Sequence, residues 1–358
     1  MTTTIPVRLG ERSYDVLVGP GVRKSLAGVI RRLGARRAAV VSARPPEWVP
    51  DTGVETLLLA ARDGEPDKRL STVEDLCGEF ARFGLTRSDV VVSCGGGTTT
   101  DVVGLAAALY HRGVAVVHLP TSLLAQVDAS VGGKTAVNLP AGKNLAGAYW
   151  QPSAVLCDTD YLSTLPRREV LNGLGEIARC HFIGAPDLRG RSLPEQIAAS
   201  VTLKASVVER DERDTGLRHR LNYGHTLGHA LEIATDFALR HGEAVAIGTV
   251  FAGRLAGALG RIDEAGVAEH LEVVRHYGLP TALPAGVEPA VLLRQMHRDK
   301  KAITGLAFVL SGPRGAELVS DVPEAVVTRV LGEMPRKPLA ELIGGQPGGV
   351  PATDAAPA

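Results

Sequence analysis

Apolar and polar positions change their rhythm partway along this chain. Up to about residue 160, short and nearly continuous apolar runs alternate with stretches of helical spacing. "IPVRL" (5–9) and "YDVLVG" (14–19) flank a polar, glycine-containing stretch and predict a β-hairpin. "VRKSLAGVIRRLG" predicts a helix and "RRAAVVSA" a strand. "TVEDLCGEFARFG" (helix), "DVVVSC" (strand), "TTTDVVGLAAALYHRG" (helix) and "VAVVHLP" (strand) follow. Valine-rich strands without polar alternation suit a mostly parallel sheet covered on both faces. After about 166, long amphipathic or apolar helical segments take over, at 166–183, 193–212, 219–236, 241–260, 263–277 and 288–302. A short strand pair, "AFVLSG" and "AELVSDV", comes near the end. The pattern divides the chain into an α/β domain (1–160), a helical domain (161–335) and a Pro-, Gly- and Ala-rich segment (336–358) expected to be a disordered tail.

Composition narrows the function classes. The 358 residues hold 39 acidic and 39 basic side chains, so net charge gives no argument for nucleic acid or an anionic membrane. A local basic pocket for a small anion remains open. Apolar residues make up 45% but aromatics only 4%, so aliphatic side chains must build the core. No apolar run reaches membrane-spanning length, and "MTTTIPVRLGERSYDVLVG" has no apolar core of a signal peptide. Cys77, Cys94, Cys157 and Cys180 form no CxxC and read as reduced core thiols of a cytoplasmic protein.

Three groups of residues carry candidate chemistry. First, Gly95, Gly96 and Gly97 join a buried strand to a helix start, with Thr98, Thr99 and Thr100 behind them. Such a turn suits a pyrophosphate at a helix N-terminus, or simply a tight structural turn. Second, "LNYGHTLGHALEIATDFALRHGEAVAIG" places His225 and His229 four apart on one helix face, with His241 at the next helix start. Histidines so placed are often structural. Glu176, within the apolar "LNGLGEIARCHF", changes the balance: a buried carboxylate needs a charged partner or a metal, and two His plus one Glu suit Zn²⁺ or a similar ion. Third, Asp128, Lys134, Lys143, Asn144, Lys204, Arg218, Asn222, Lys300 and Lys301 lie among small and apolar residues. Each alone reads as a solvated charge; together they suggest a polyanionic small molecule.

These segments also carry a resemblance. "GGGxxxDxxGxxAAxxxRG", "PTSLLAQVDASVGGKTAVN", "GKNLAGAYWQP", "DTDYLSTLPRRE", "GLGEIA", "DERDTGLRHRLNYGHTLGHALE" and "HGEAVAIG" resemble the 3-dehydroquinate synthase family, the sugar phosphate cyclases, from about residue 5 to about 330. The resemblance implies a Rossmann-like NAD-binding α/β domain, an all-α metal-binding domain, an active site in the cleft between them and a homodimer. It implies Glu176, His225 and His241 as ligands of Zn²⁺ or Co²⁺, with His229 on the substrate side. Asp128, Lys134, Asn144, Lys204, Arg218 and Asn222 match the substrate contacts, and Arg112 a residue that reaches the neighbouring subunit's phosphate site. Glu65, Lys68, Gly96, Gly97, Asp101, Thr121, Ser122, Lys143, Thr164 and Leu165 match the dinucleotide contacts; Lys300 or Lys301 matches a substrate-facing lysine.

Three departures point to a branch of the family. Thr100 stands where the primary-metabolism enzymes have glycine. Arg179 stands where they have lysine, three residues after the glutamate ligand. "VSARPPE" lacks the carboxylate that holds the adenine ribose. "GGGTTTDVVGLAAALYHRG" with "GEIARCHFIG" looks most like the aminodehydroquinate synthases of 3-amino-5-hydroxybenzoic acid pathways. The resemblance therefore implies cyclisation of an aminated seven-carbon sugar acid phosphate with loss of phosphate, Arg179 and the threonine turn adjusting the pocket. The alternatives are 3-dehydroquinate synthase itself, with a hydroxy substrate, and a non-catalytic nucleotide-binding scaffold.

Overall fold

The computed structural model describes residues 1–61, 64–298 and 305–344. Two compact units emerge. The first comprises residues 1–165 with 204–213; the second comprises 166–203 with the chain from 214 onward.

The first unit is built on a seven-stranded sheet. Its strands are β1 (Thr3–Val7), β2 (Tyr14–Gly19), β3 (Arg37–Ser42), β4 (Glu55–Ala60), β5 (Val90–Gly95), β6 (Ala115–Pro120) and, after a separate antiparallel hairpin of β7 (Lys134–Leu139) and β8 (Gly142–Tyr149), β9 (Ala154–Asp158). The order is β1-β2-β9-β6-β5-β3-β4, parallel throughout except for the β1–β2 hairpin. All six residues of β5 are buried, as continuous Val runs require of a strand covered on both faces. Helix α1 (Leu26–Leu33) contributes Leu26, Val29 and Ile30 to one core cluster, with Tyr161. Helices α2 (Leu70–Phe83) and α3 (Gly97–Leu109) contribute Val73, Phe80 and Val103 to the other. Each fully buried Val or Leu contributes roughly 1.5–3 kcal/mol relative to exposure. The parallel order puts the ends of β3, β5 and β6, and the glycine turn, along one sheet edge, where doubly wound folds bind ligands.

The second unit is mainly helical: α4 (Arg167–Phe182), the start of α5 (Leu193–Arg210), α6 (His225–Ala234), α7 (His241–Ala258), α8 (Glu264–His276), α9 (Pro289–Arg298), α10 (Glu324–Glu333) and α11 (Leu339–Leu342). Short strands β10 (Leu283–Pro284), β11 (Phe308–Leu310), β12 (Glu317–Val319) and β13 (Arg336–Lys337) complete it. Helix α7 is buried along nearly its whole length. Glycines let its neighbours approach: a Cβ on Gly242 would lie 2.7 Å from the Asn172 carbonyl carbon, and one on Gly175 would lie 2.6 Å from Gly242 Cα, where ordinary contact begins at 3.4 Å. Among the described residues, no helix is long and apolar enough to cross a membrane.

Several expectations need correction. The helix expected over 219–236 begins at His225, because Gly224 takes a left-handed φ of 76° and 217–222 form a 3₁₀ turn. The segment from 336 does not fray at once: β13 pairs in parallel with β10, and Leu342 of α11 is buried. Only 345–358 of that segment lies outside the described residues, as do the last residues of the expected 288–302 helix.

Candidate active site

Helices α4, α6 and α7 bring Glu176, His225 and His241 together in the second unit, one ligand atom from each within 4.8 Å of the others. Close packing of Gly175 against Gly242 sets the carboxylate beside His241, and Gly242 N–H donates to Asn172 Oδ1 at 2.7 Å. The two oxygens of Glu176 have different surroundings. Oε2 accepts from Arg179 Nε at 2.7 Å and lies 2.6 Å from its Nη2. Oε1 is buried and accepts no hydrogen bond, yet lies 3.7 Å from His225 Nε2 and 3.4 Å from His241 Nε2. His225 Nδ1 faces the Tyr223 carbonyl at 3.1 Å, and His241 Nδ1 faces Glu232 Oε2 at 3.2 Å. Each imidazole is thus held at Nδ1, leaving Nε2 toward the free carboxylate oxygen. A carboxylate–histidine pair behind a ligand is the usual support of a metal site.

The electrostatics agree with this donor set. Burial pushes the Glu176 carboxyl up, but the Arg179 charge and the two imidazoles outweigh it and hold the group well below the usual range. Burial and neighbouring cationic groups push His225 down to about 3, so it stays neutral. His241 also meets desolvation, but the carboxylates of Glu176 and Glu232 push it up to about 10. An anionic pocket that draws a proton onto its own imidazole in this way is one a divalent cation can satisfy instead. The residues present therefore fit a three-ligand divalent site.

Arg179 shares the Glu176 face, as its i+3 spacing requires, but it is buried, and its fork is engaged by Oε2 and, through Nη1, by the Leu221 carbonyl at 2.6 Å. It bears on the carboxylate directly, and on any substrate through that carboxylate. His229 is exposed, its ring 5.4 Å from His225 and 6.1 Å from His241. Arg218 is buried in the 3₁₀ turn that Asn222 closes.

In the first unit, Gly96 caps the start of α3 without a side-chain cap, so the amide donors at the helix start suit an anion. Thr100 bonds back to the Gly97 carbonyl at 2.9 Å, a helical use of the residue that replaces glycine. Asp101, one turn on, pairs with Lys68 at 2.5 Å; burial pushes its carboxyl up against the pull of that lysine. Glu65 accepts from Asn138 Nδ2 at 2.7 Å and faces Lys143 Nζ at 3.6 Å. Asn138 Oδ1 in turn accepts from the backbone of Asn144, which is left-handed at φ 54°. Thr121 N–H donates to Gly95 O, and Ser122 Oγ accepts from Ala125 N–H. Asp128, in a π-helical turn, holds Lys204 Nζ at 2.6 Å through Oδ1 and 2.5 Å through its carbonyl. Lys134 opens β7, exposed. Leu165 N–H donates to Leu162 O. Thr164 Oγ1 accepts from Arg44 Nη2 at 2.8 Å, just past the end of β3, where Ser42 Oγ bonds the Arg44 backbone. Arg112 is exposed with φ 63°. Lys300 and Lys301 lie outside the described residues.

The sequence reading missed Glu232 and Asn138. Glu232 was findable, since it lies seven residues after His225 on the same helix and so shares its face. Asn138 carries no such pattern; its role comes from the β7–β8 hairpin.

Comparisons with known proteins place the chain. Residues 58–172 match the family described as 3-dehydroquinate synthase N-terminal, and 173–302 that described as 3-dehydroquinate synthase C-terminal. A protein of Amycolatopsis mediterranei (strain S699) named "Putative aminodehydroquinate synthase" is 87% identical over 344 residues, 96% of this chain and 98% of its own. A 2-deoxy-scyllo-inosose synthase structure, complexed with carbaglucose-6-phosphate, NAD⁺ and Co²⁺, superposes with a TM-score of 0.82 at 28% identity, covering 93% of this chain and 100% of that one. The 2-epi-5-epi-valiolone synthase of Streptomyces hygroscopicus subsp. jinggangensis 5008, with NAD⁺ and Zn²⁺ bound, gives 0.76 at 29% identity over 93% and 98%.

Proposed function

Because the chain belongs to the 3-dehydroquinate synthase family, we propose that it closes the ring of an aminated seven-carbon sugar acid phosphate with loss of phosphate. The product is 5-amino-5-deoxy-3-dehydroquinate, a precursor of 3-amino-5-hydroxybenzoic acid. The observation that carries the cyclase reading is the Glu176 oxygen without a hydrogen bond, facing two Nε2 atoms whose rings are held from behind. The amino substrate is supported by the name of the 87% identical relative.

In this reading Glu176, His225 and His241 hold Zn²⁺ or Co²⁺, and the α3 N-terminus with Glu65, Lys68, Asp101, Thr121, Ser122, Lys143, Thr164 and Leu165 holds NAD⁺. When bound, the dinucleotide supplies reversible hydride transfer and the ion a Lewis acid at the reacting oxygen. Glu232 keeps the His241 ring turned with Nε2 inward. His229 faces the substrate side. Lys134, Asn144, Lys204, Arg218 and Asn222 recognise carboxylate and phosphate, the guanidinium of Arg218 offering paired donors to a planar anion. Asp128 positions the Lys204 ammonium through its carboxylate and its carbonyl. A homodimer in which Arg112 reaches the partner's phosphate site completes the proposal, and sedimentation of the purified chain tests it.

Purified protein supplied with NAD⁺ and Zn²⁺ or Co²⁺ is expected to release phosphate from the amino substrate with no net accumulation of NADH. The family matches also support the hydroxy analogue as substrate, which gives 3-dehydroquinate. Turnover of that compound alone would overturn the amino assignment.

A further inference from the structure

Two of the three candidate ligands are held through main-chain carbonyls of one short segment. Leu221 O accepts from Arg179 Nη1, and the same guanidinium grips Glu176 Oε2. Tyr223 O accepts from His225 Nδ1. Backbone groups alone cannot keep a loop in place, so its anchor matters. The Tyr223 ring is fully buried, and its hydroxyl lies 2.7 Å from His270 Nε2 and 2.9 Å from Ser311 Oγ. His270 Nδ1 lies 2.6 Å from the Gly266 carbonyl, which can only accept, so Nδ1 carries the proton and Nε2 is the acceptor. That fixes the direction of the chain: Ser311 donates to Tyr223, Tyr223 donates to His270, and His270 donates to Gly266. Burial pushes His270 down to about 4, keeping the ring neutral in this role, and Phe182 stacks on it with centroids 3.9 Å apart. Phe182 closes α4, the helix that carries Glu176 and Arg179.

We propose that Leu221–Tyr223 is a positioning strap that sets the Glu176 carboxylate and the His225 ring together, and that the buried Tyr223–His270–Ser311 cluster fixes it. Tyr223 and His270 touch neither ion nor substrate. They act on the two ligands through the strap, so loosening the anchor disturbs both ligands at once. The proposal rests on the metal-site reading above.

Co²⁺ loading of metal-stripped protein tests both, because the visible absorption of bound Co²⁺ reports ligand geometry. Wild type should bind one ion and His225→Ala none; failure of wild type to bind removes the metal reading and the strap with it. Tyr223→Phe keeps every ligand and the Tyr223 carbonyl. It should fold as judged by far-ultraviolet circular dichroism, bind Co²⁺ roughly 10–100-fold more weakly, as loss of outer support does, and show a shifted spectrum. His270→Leu should do the same, and the double variant should lose little more than either single. Ser311→Ala removes only the outermost hydroxyl and should give a smaller shift in the same direction; it decides the matter where Tyr223→Phe is unstable. Wild-type affinity and spectrum in Tyr223→Phe, or in Ser311→Ala where Tyr223→Phe does not fold, would overturn the strap while leaving the metal site standing.

Discussion

Gly242→Ala is the sharpest probe of how the fold sets the site. The added methyl would stand 2.7 Å from the Asn172 carbonyl carbon and 3.0 Å from its Cα, against 3.4 Å for ordinary contact, and backbone on both sides leaves no flexible end to give way. Helices α4 and α7 must therefore part. Asn172 is one turn before Glu176, and Gly242 follows His241 directly, so the separation falls on the 3.4 Å approach of Glu176 Oε1 to His241 Nε2. Metal–ligand distances are tolerated only within about 0.2 Å, so a shift of several tenths of an ångström is enough to weaken chelation. The hydrogen bond from Gly242 N–H to Asn172 Oδ1 is strained as well. Overpacking of this kind costs roughly 1–3 kcal/mol of stability, and we expect metal affinity to fall by about two orders of magnitude, like loss of a support to a ligand. Chelator competition with Zn²⁺, together with thermal melts of the metal-free protein, reads both effects. Gly332→Ala is the control: nothing lies within 4 Å of its added methyl in helix α10, so it should be neutral or stabilising by about 0.5–1 kcal/mol. If Gly242→Ala bound zinc like wild type, the claim that the α4–α7 approach sets the carboxylate beside His241 would fail.

Three further outcomes follow from the same geometry. Without an ion His241 keeps its proton up to pH about 10, whereas an ion needs the neutral ring. Loading at pH 7 should thus release one proton, and affinity should rise about tenfold per pH unit through neutrality; calorimetry in buffers of different ionisation enthalpy would instead show no proton exchange if His241 were neutral beforehand. Glu232→Gln removes the charge behind His241 and should weaken metal binding by roughly 10–100-fold while leaving the fold intact, as measured by equilibrium dialysis. Glu243 is fully buried; it bonds Arg168 and the backbone N–H groups of Arg240 and Gly344, tying the start of α7 to residues after α11. Ending the chain after Pro335 removes one of these bonds and the β10–β13 pairing; it should cost about 1–3 kcal/mol in denaturant melts, where an unchanged midpoint would show that 336–344 contribute nothing.

What the sequence makes legible depends on how local the signal is. Strands β3 and β5 stand out because both faces are covered and every position can be apolar. Strand β4 escapes notice because it lies at the sheet edge, where Leu58 is exposed and the pattern is broken. The β7–β8 hairpin is hidden among residues that read as site chemistry. Residues 219–222 continue the helical spacing, and only the left-handed backbone at Gly224 shows that α6 starts at His225. The Pro- and Gly-rich composition after 336 conceals a pairing with Leu283–Pro284, fifty residues upstream, which no local pattern reveals. In the site, clustered histidines and a glutamate inside an apolar helix suggest a metal group, but the i,i+4 pair is His225 and His229, while the group that converges is Glu176, His225 and His241. The Tyr223 and Leu221 carbonyls that orient its members are backbone, identical at every position of a sequence. Arg179 reads as a pocket residue from its spacing, yet the fold commits its donors to Glu176 and Leu221.

X-ray absorption at the zinc edge of the loaded protein tests the metal site most directly. It should show one ion per chain with two imidazole ligands and one carboxylate oxygen at about 2.0–2.2 Å, and Glu176→Gln should lose the ion. A spectrum with sulfur ligands, or with no imidazole, or an ion kept at full stoichiometry in Glu176→Gln, would contradict it.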